Sequence, residues 1–157
     1  MYSISGNILT FAYETDRVFN MVKMLTAYRM RDMTDKDGNL TGEPLMMTAD
    51  ERDLFNLTVN NAAMFVCEEL KKLSQGISNM FIIDGDRLIF NIVNHRKYNI
   101  NALQSIDTAI FNLLYNSCLY QFYDFINQEK QAELFKTRFV ESSNILHERC
   151  HEIRKIR

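Results

Sequence analysis

The sequence is poor in the residues that interrupt regular structure. Among 157 residues there are one proline, five glycines and no tryptophan. Disordered and linker-rich proteins contain more chain breakers and fewer apolar residues, whereas 46% of this chain is hydrophobic and 24% is charged. The composition therefore predicts a folded chain, and the length suits one domain spanning residues 1–157.

Cysteine is also scarce, and its number is odd. Cys67, Cys118 and Cys150 are widely spaced, and each lies in a segment with a helical pattern. This usage predicts reduced thiols and not a disulfide framework. The first residues, Met1 to Asn7, have neither the basic start nor the apolar run of a signal peptide, so we expect synthesis in the cytoplasm.

The charge is nearly balanced, with a net value of −2 and an isoelectric point of about 5.9. A dedicated nucleic-acid binder normally has a strongly basic surface, so the composition disfavours that class. The balance becomes basic only at the C-terminal end, at Arg154, Lys155 and Arg157.

Apolar residues recur at three- and four-residue steps in four segments, which is the spacing of one helix face. These segments are residues 15–33, 49–74, 102–125 and 128–157. The pattern leaves open whether the third and fourth helices are continuous or hinged near Asn127.

Two of these helices carry further signals. Thr48 and Glu51 have the spacing of a capping box at the start of the second helix. The third helix is apolar nearly all round, which predicts that it is central and buried. A membrane span needs about 20 uninterrupted apolar residues, and polar residues interrupt this helix at Asn112, Asn116, Ser117 and Gln121.

Residues 79–94, between the second and third helices, predict a β-hairpin. Asp84-Gly85 suits a two-residue turn, and β-branched and aromatic residues flank it. One apolar face of this hairpin should pack on the helices; it consists of Leu88, Phe90 and Ile92.

The N-terminal residues 1–14 form an arm in which Ile8 to Tyr13 is either a strand or a docked extended segment. The fold class expected from these elements is mainly α. More specifically, we predict a helical bundle of three to four long helices with one inserted β-hairpin that projects from it.

The sharpest catalytic motif is His147-Glu148-Arg149-Cys150-His151, which matches the H-E-x-x-H pattern of zinc hydrolases. Such a site needs a third protein ligand, and none follows at a suitable spacing. We therefore predict no catalytic residues, no cofactor and no metal site, and His147 and His151 are weak candidates only.

Nine methionines are present, and six of them lie between Met21 and Met47. They are either flexible core filler or an adaptable protein-binding surface. The basic segment from His95 to Lys97 favours a solvated strand end over a phosphate contact.

Several segments together resemble a known family. They are Met24-Leu-Thr-Ala-Tyr28, the turn from Asp37 to Leu40, Thr48-Ala-Asp-Glu51, the hairpin, and an aromatic helix followed by a charged one, with Tyr120-Gln-Phe-Tyr123 and Glu129-Lys-Gln-Ala132. In this order they resemble head-to-tail connector proteins, also called neck or adaptor proteins, of tailed bacteriophages and prophages of the Bacteroides group.

The resemblance implies a non-enzymatic structural protein of the virion neck, made in the cytoplasm of the bacterial host. Such connectors assemble as a ring, commonly of twelve copies, beneath the portal protein and next to other neck and tail proteins. Genomic DNA passes through the ring without sequence-specific contacts, and no membrane is involved.

A ring subunit needs two different surfaces for its two neighbours. The candidate interaction residues are Ile83, Asp84, Gly85, Asp86 and Arg87 in the hairpin, Met46 and Met47 before the second helix, and Arg154, Lys155 and Arg157 at the end. Two alternatives remain open, namely a small zinc-dependent hydrolase using residues 147–151 and a non-catalytic nucleic-acid or assembly adaptor.

Overall fold

The protein is mainly α, with a small antiparallel sheet. The computed structural model describes residues 1–31, 36–37, 39, 47–71, 79–84, 86–93 and 100–155. The helices are α1 (Thr15–Arg31), α2 (Arg52–Leu70), α3 (Ile100–Phe125) and α4 (Glu129–Lys155), and the strands are β1 (Tyr2–Ser5), β2 (Ile8–Glu14), β3 (Asn79–Asp84) and β4 (Arg87–Val93).

The four predicted helical segments all contain a helix, with small shifts at their ends. α1 begins at Thr15 as predicted, and α3 begins at Ile100, two residues before its predicted start. The predicted ends of the first two helices, Met33 and Ser74, lie outside the described residues.

The start of α2 has the predicted capping box. Thr48 precedes a short 3-10 turn, Ala49–Glu51, that leads into α2. The Thr48 amide donates to Glu51 Oε2 at 2.6 Å, and the Asp50 amide donates to Thr48 Oγ1 at 3.3 Å. These bonds satisfy backbone amides that the first helical turn leaves without intrahelical partners.

The sheet has four strands in the order β1-β2-β4-β3, and all neighbours are antiparallel. β1 and β2 form an N-terminal hairpin whose turn contains Gly6 at a φ of 59°. A positive φ strains most residues but not glycine. β2 pairs with β4, with Phe11 opposite Phe90.

The sheet decides between the two predictions for the N-terminal arm, and it corrects the prediction that the second hairpin projects alone. Ile8–Glu14 is a strand, not a docked arm without pairing. The predicted β3–β4 hairpin is present, but Asp84 is the last residue of β3, paired with Arg87, and not a turn residue as predicted. The hairpin is also not a lone projecting ribbon, because β4 is an inner strand held on its other side by β2. The sequence contains the signal for the first hairpin, since Gly6-Asn7 is a typical two-residue turn.

The core lies between one face of the sheet and the helices. Leu88, Phe90 and Ile92 of β4 are buried as predicted, and Leu9 and Phe11 of β2 lie beside them. Side chains of α3 fill much of the rest of this core, which confirms its predicted central place; they include Leu103, Ile106, Ile110, Leu113, Leu114, Cys118 and Leu119.

A tight turn separates α3 from α4, so the two helices are not continuous. Asn127 has a φ of 56°, and its backbone N–H donates to the backbone carbonyl of Asp124 at 3.1 Å. The Gln128 amide donates to the carbonyl of Tyr123 at 2.9 Å, which completes a Schellman motif. α4 then packs along α3, and Phe135 stacks on Tyr123 with 5.5 Å between ring centroids.

Candidate interaction surfaces

The turn of the second hairpin is fixed against the start of α1. The carbonyl of Asp86 accepts the Thr15 amide at 2.7 Å and the Thr15 hydroxyl at 2.9 Å. The side chains of Asp86 and Arg87 are exposed. Two of the predicted interaction residues therefore lie on a surface whose backbone is held in place.

A polar groove of about 310 Å³ runs between this turn and α2. Arg52 lies in the wall of this groove, and its Nη2 is 2.7 Å from Asp16 Oδ1. The Arg52 guanidinium also covers the ring of Phe19, with Cζ 4.6 Å from the ring centroid. The groove thus offers amide and hydroxyl groups beside a cation that is already partly neutralised; its lining is Thr15, Arg52, Asn56, Val59, Asn60, Asp86 and Leu88.

The remaining hairpin residues of the prediction are described only in part. The backbones of Ile83 and Asp84 belong to β3, with Asp84 opposite Arg87. Their side chains, and Gly85 as a whole, lie outside the described parts of the chain.

Met47 is not a surface residue, which corrects its predicted role in interaction. Its side chain is fully buried, and its amide donates to Thr26 Oγ1 at 3.2 Å. Met47 is therefore core filler, one of the two roles left open for the methionines. Met46 lies outside the described residues.

The basic C-terminal end is described only as backbone. Arg154 and Lys155 belong to the last turn of α4, and their side chains are not described. Arg157 lies outside the described residues.

The H-E-x-x-H segment lies on α4 where α4 meets α2. The rings of His147 and His151 are 4.4 Å apart between centroids, and His147 Nδ1 is 3.1 Å from Glu69 Oε2 of α2. Glu148 is exposed, whereas Cys150 is buried. Within the described ranges, no group of three or more His, Cys, Asp or Glu side chains could hold a metal ion.

The buried thiol and phenol groups have the character of core residues. Burial raises the pKa of the Cys118 thiol to about 12, so this thiol is protonated at neutral pH. Burial, followed by the charge of Asp107, also raises the pKa of Tyr13, whose hydroxyl donates to Asp107 Oδ1 at 2.7 Å.

One surface of the sheet was not predicted from the sequence. We call it the outer sheet face; it points away from the core and consists of Ile8, Thr10, Ala12, Ile89, Asn91 and Val93. Its aliphatic side chains are exposed or half-buried, with Ile8 39% exposed. Thr10 and Asn91 hydrogen-bond across the strands at 2.8 Å. The alternation of β2 and β4 predicts such a second face, but only their pairing brings its two halves together.

A second apolar surface lies on the helices. We call it the α2–α4 strip and define it by Met64, Phe65, Phe139 and Val140. The rings of Phe65 and Phe139 are 5.6 Å apart between centroids. Their neighbours in sequence, Met64 and Val140, are 63% and 47% exposed. Because the helices pack on the core side of the sheet, this strip is separate from the outer sheet face.

Comparisons with protein families, curated proteins and solved structures found no match to this chain. Among the helices that the structure describes, none is long and apolar enough to cross a membrane.

Proposed function

We propose that this protein is a non-enzymatic structural subunit that assembles into a ring, as a head-to-tail connector of a tailed phage. In this proposal the four helices form the bundle of the subunit, and the anchored hairpin turn contacts the portal protein. The subunit works in the neck of the virion, after synthesis in the host cytoplasm, and DNA passes through the ring.

The observation that carries this proposal is the presence of two separate apolar surfaces on one subunit. A ring is built from heterologous contacts, in which one surface of a subunit meets a different surface of the next. The outer sheet face offers the aliphatic side chains of Ile8, Ile89 and Val93, and the α2–α4 strip offers Met64 and Val140. Exposed apolar surface of this kind is typical of protein–protein interfaces.

The hairpin turn supports the second part of the proposal. Asp86 and Arg87 present charges of opposite sign on a backbone fixed by Thr15. A turn fixed in this way loses little conformational freedom on binding. It suits a contact that must be repeated identically in every copy of a ring.

The ring proposal is tested by native mass spectrometry at several protein concentrations. We expect a discrete high-order oligomer for the unchanged protein and monomers for Ile8→Glu and Val140→Glu, each of which charges one surface. Ile145→Glu is the matched control, because Ile145 lies on the same helix and is 46% exposed, against 47% for Val140. It should leave the oligomer intact.

Mixing the two surface variants distinguishes a heterologous interface from a symmetric one. Each variant keeps one intact surface, so a mixture of Ile8→Glu and Val140→Glu should form a two-chain complex that neither variant forms alone. A mixture that stays monomeric would contradict a contact between the outer sheet face and the α2–α4 strip.

The connector role is tested by binding to the portal protein of the same phage. Arg87→Glu should weaken this binding at least tenfold, whereas Lys136→Glu, the same charge change on the exposed side of α4, should not. A protein that ignores the portal and binds nucleic acid with steep salt dependence would instead be an adaptor.

A further inference from the structure

His147 and His151 lie one helical turn apart on α4, and their rings are close in space. The ring centroids are 4.4 Å apart, with 35° between the ring planes. Two histidines at positions i and i+4 of a helix can present one nitrogen each to the same metal ion. The spacing that resembles a zinc hydrolase therefore brings two imidazole rings side by side on one face of α4.

Glu69 of α2 determines which ring nitrogen of His147 carries a proton. A carboxylate only accepts hydrogen bonds, so the 3.1 Å contact between Glu69 Oε2 and His147 Nδ1 requires a proton on Nδ1. In the neutral ring the lone pair is then on Nε2. Metal-binding histidines almost always donate their other ring N–H in this way to a carboxylate or carbonyl, which orients the ring and makes the coordinating nitrogen more basic.

We propose that His147 and His151 chelate one divalent transition-metal ion, with Glu69 as the positioning residue for His147. The ion is of the class that prefers imidazole, such as Zn²⁺, Ni²⁺ or Cu²⁺. Two side chains supply the protein ligands, and water completes the coordination. This site is independent of the ring proposal and is not a hydrolase centre, because a catalytic zinc is held by three protein ligands.

The location of the site gives the ion a structural consequence. Glu69 belongs to α2 and both histidines belong to α4, so the ion stabilises a contact between the two helices that flank the α2–α4 strip. An ion that binds only the folded protein raises its free energy of unfolding, and with it the unfolding temperature. The gain grows with the logarithm of the ratio between the ion concentration and the dissociation constant.

The test is titration of the purified protein with Ni²⁺, measured by isothermal titration calorimetry. We expect one ion per chain, with affinity reduced at least tenfold in both His147→Gln and His151→Gln. His95→Gln is the matched control because the chain has three histidines, and it should bind like the unchanged protein. Circular dichroism of each metal-free variant verifies that it is folded.

The role of Glu69 is tested separately. Glu69→Gln should lower Ni²⁺ affinity about tenfold while leaving the metal-free unfolding temperature nearly unchanged. A merely structural role for Glu69 predicts the opposite pattern, with a lower unfolding temperature and unchanged affinity.

Three outcomes overturn the proposal. The first is equal Ni²⁺ binding by the His147, His151 and His95 variants, and the second is no binding by the unchanged protein. The third is a sulfur-to-metal charge-transfer band in the Co²⁺-loaded protein, which would assign the ion to Cys67 or Cys150.

Discussion

At the scale of single residues, Thr48 and Glu51 show how a local pattern becomes a stabilising contact. The Thr48 hydroxyl and amide both donate to Glu51 Oε2, at 2.5 and 2.6 Å. These two bonds, the hydroxyl first, lower the pKa of the Glu51 carboxyl. This contact was predictable because a capping box involves only residues three apart, and no tertiary structure is needed to form it.

The lowered pKa of Glu51 makes part of the stability dependent on pH. A carboxyl with a lower pKa in the folded state contributes stability above its unfolded value, and this contribution is lost as the pH falls through the folded value. We expect the free energy of unfolding to fall more between about pH 6 and about pH 3 in the unchanged protein than in Glu51→Gln. Urea denaturation at each pH measures the difference.

Asp50→Asn is the matched control for this experiment, since it removes the same charge from the neighbouring residue. It should retain the pH dependence that Glu51→Gln loses. Equal pH dependence in Glu51→Gln and the unchanged protein would show that the capping carboxylate does not contribute.

At the scale of secondary-structure elements, the helices were predictable and the sheet only in part. Helix positions follow from apolar spacing within one segment, so α1 to α4 all lie where the pattern indicated. The pairing of β2 with β4 joins residues about eighty positions apart, such as Phe11 and Phe90, and no local pattern encodes it.

The candidate surfaces follow the same rule. Asp86 and Arg87 could be placed at the hairpin turn and the start of β4 because a turn signal is local, but their role in interaction stays a prediction. Met47 was misplaced because composition alone does not distinguish a buried methionine from a surface one. Glu69 could not be paired with His147 from the sequence, since their helices meet only in the folded chain.

The turn between α3 and α4 depends on one residue with an unusual backbone. A φ of 56° at Asn127 costs most residues about 1–2 kcal/mol, less for asparagine and almost nothing for glycine. We expect Asn127→Ala to lower the free energy of unfolding by about 1 kcal/mol and Asn127→Gly to preserve or raise it. Chemical denaturation of both variants measures this, and a larger loss for glycine than for alanine would contradict the role of the turn.

At the scale of the whole molecule, one core joins the sheet to the helices. Phe90 of β4 and Phe135 of α4 are both buried and belong to the same cluster of buried side chains. The cluster also includes Leu113 and Leu114 of the central helix. A core shared in this way predicts that sheet and helices unfold together.

This cooperativity is testable with one variant at each end of the core. Phe90→Ala and Phe135→Ala should each lower the free energy of unfolding by about 3–5 kcal/mol, because each removes a buried aromatic ring and leaves a cavity. In both variants, the helical signal in circular dichroism should be lost in a single transition whose midpoint lies at a lower urea concentration. The slope of the free energy of unfolding against urea concentration should be unchanged. If the urea unfolding curve of Phe90→Ala instead has two transitions, with one helical transition at the original midpoint, the helices fold without the sheet. The hairpin turn would then sit on an element that can detach, which is incompatible with a contact that every copy of a ring must present alike.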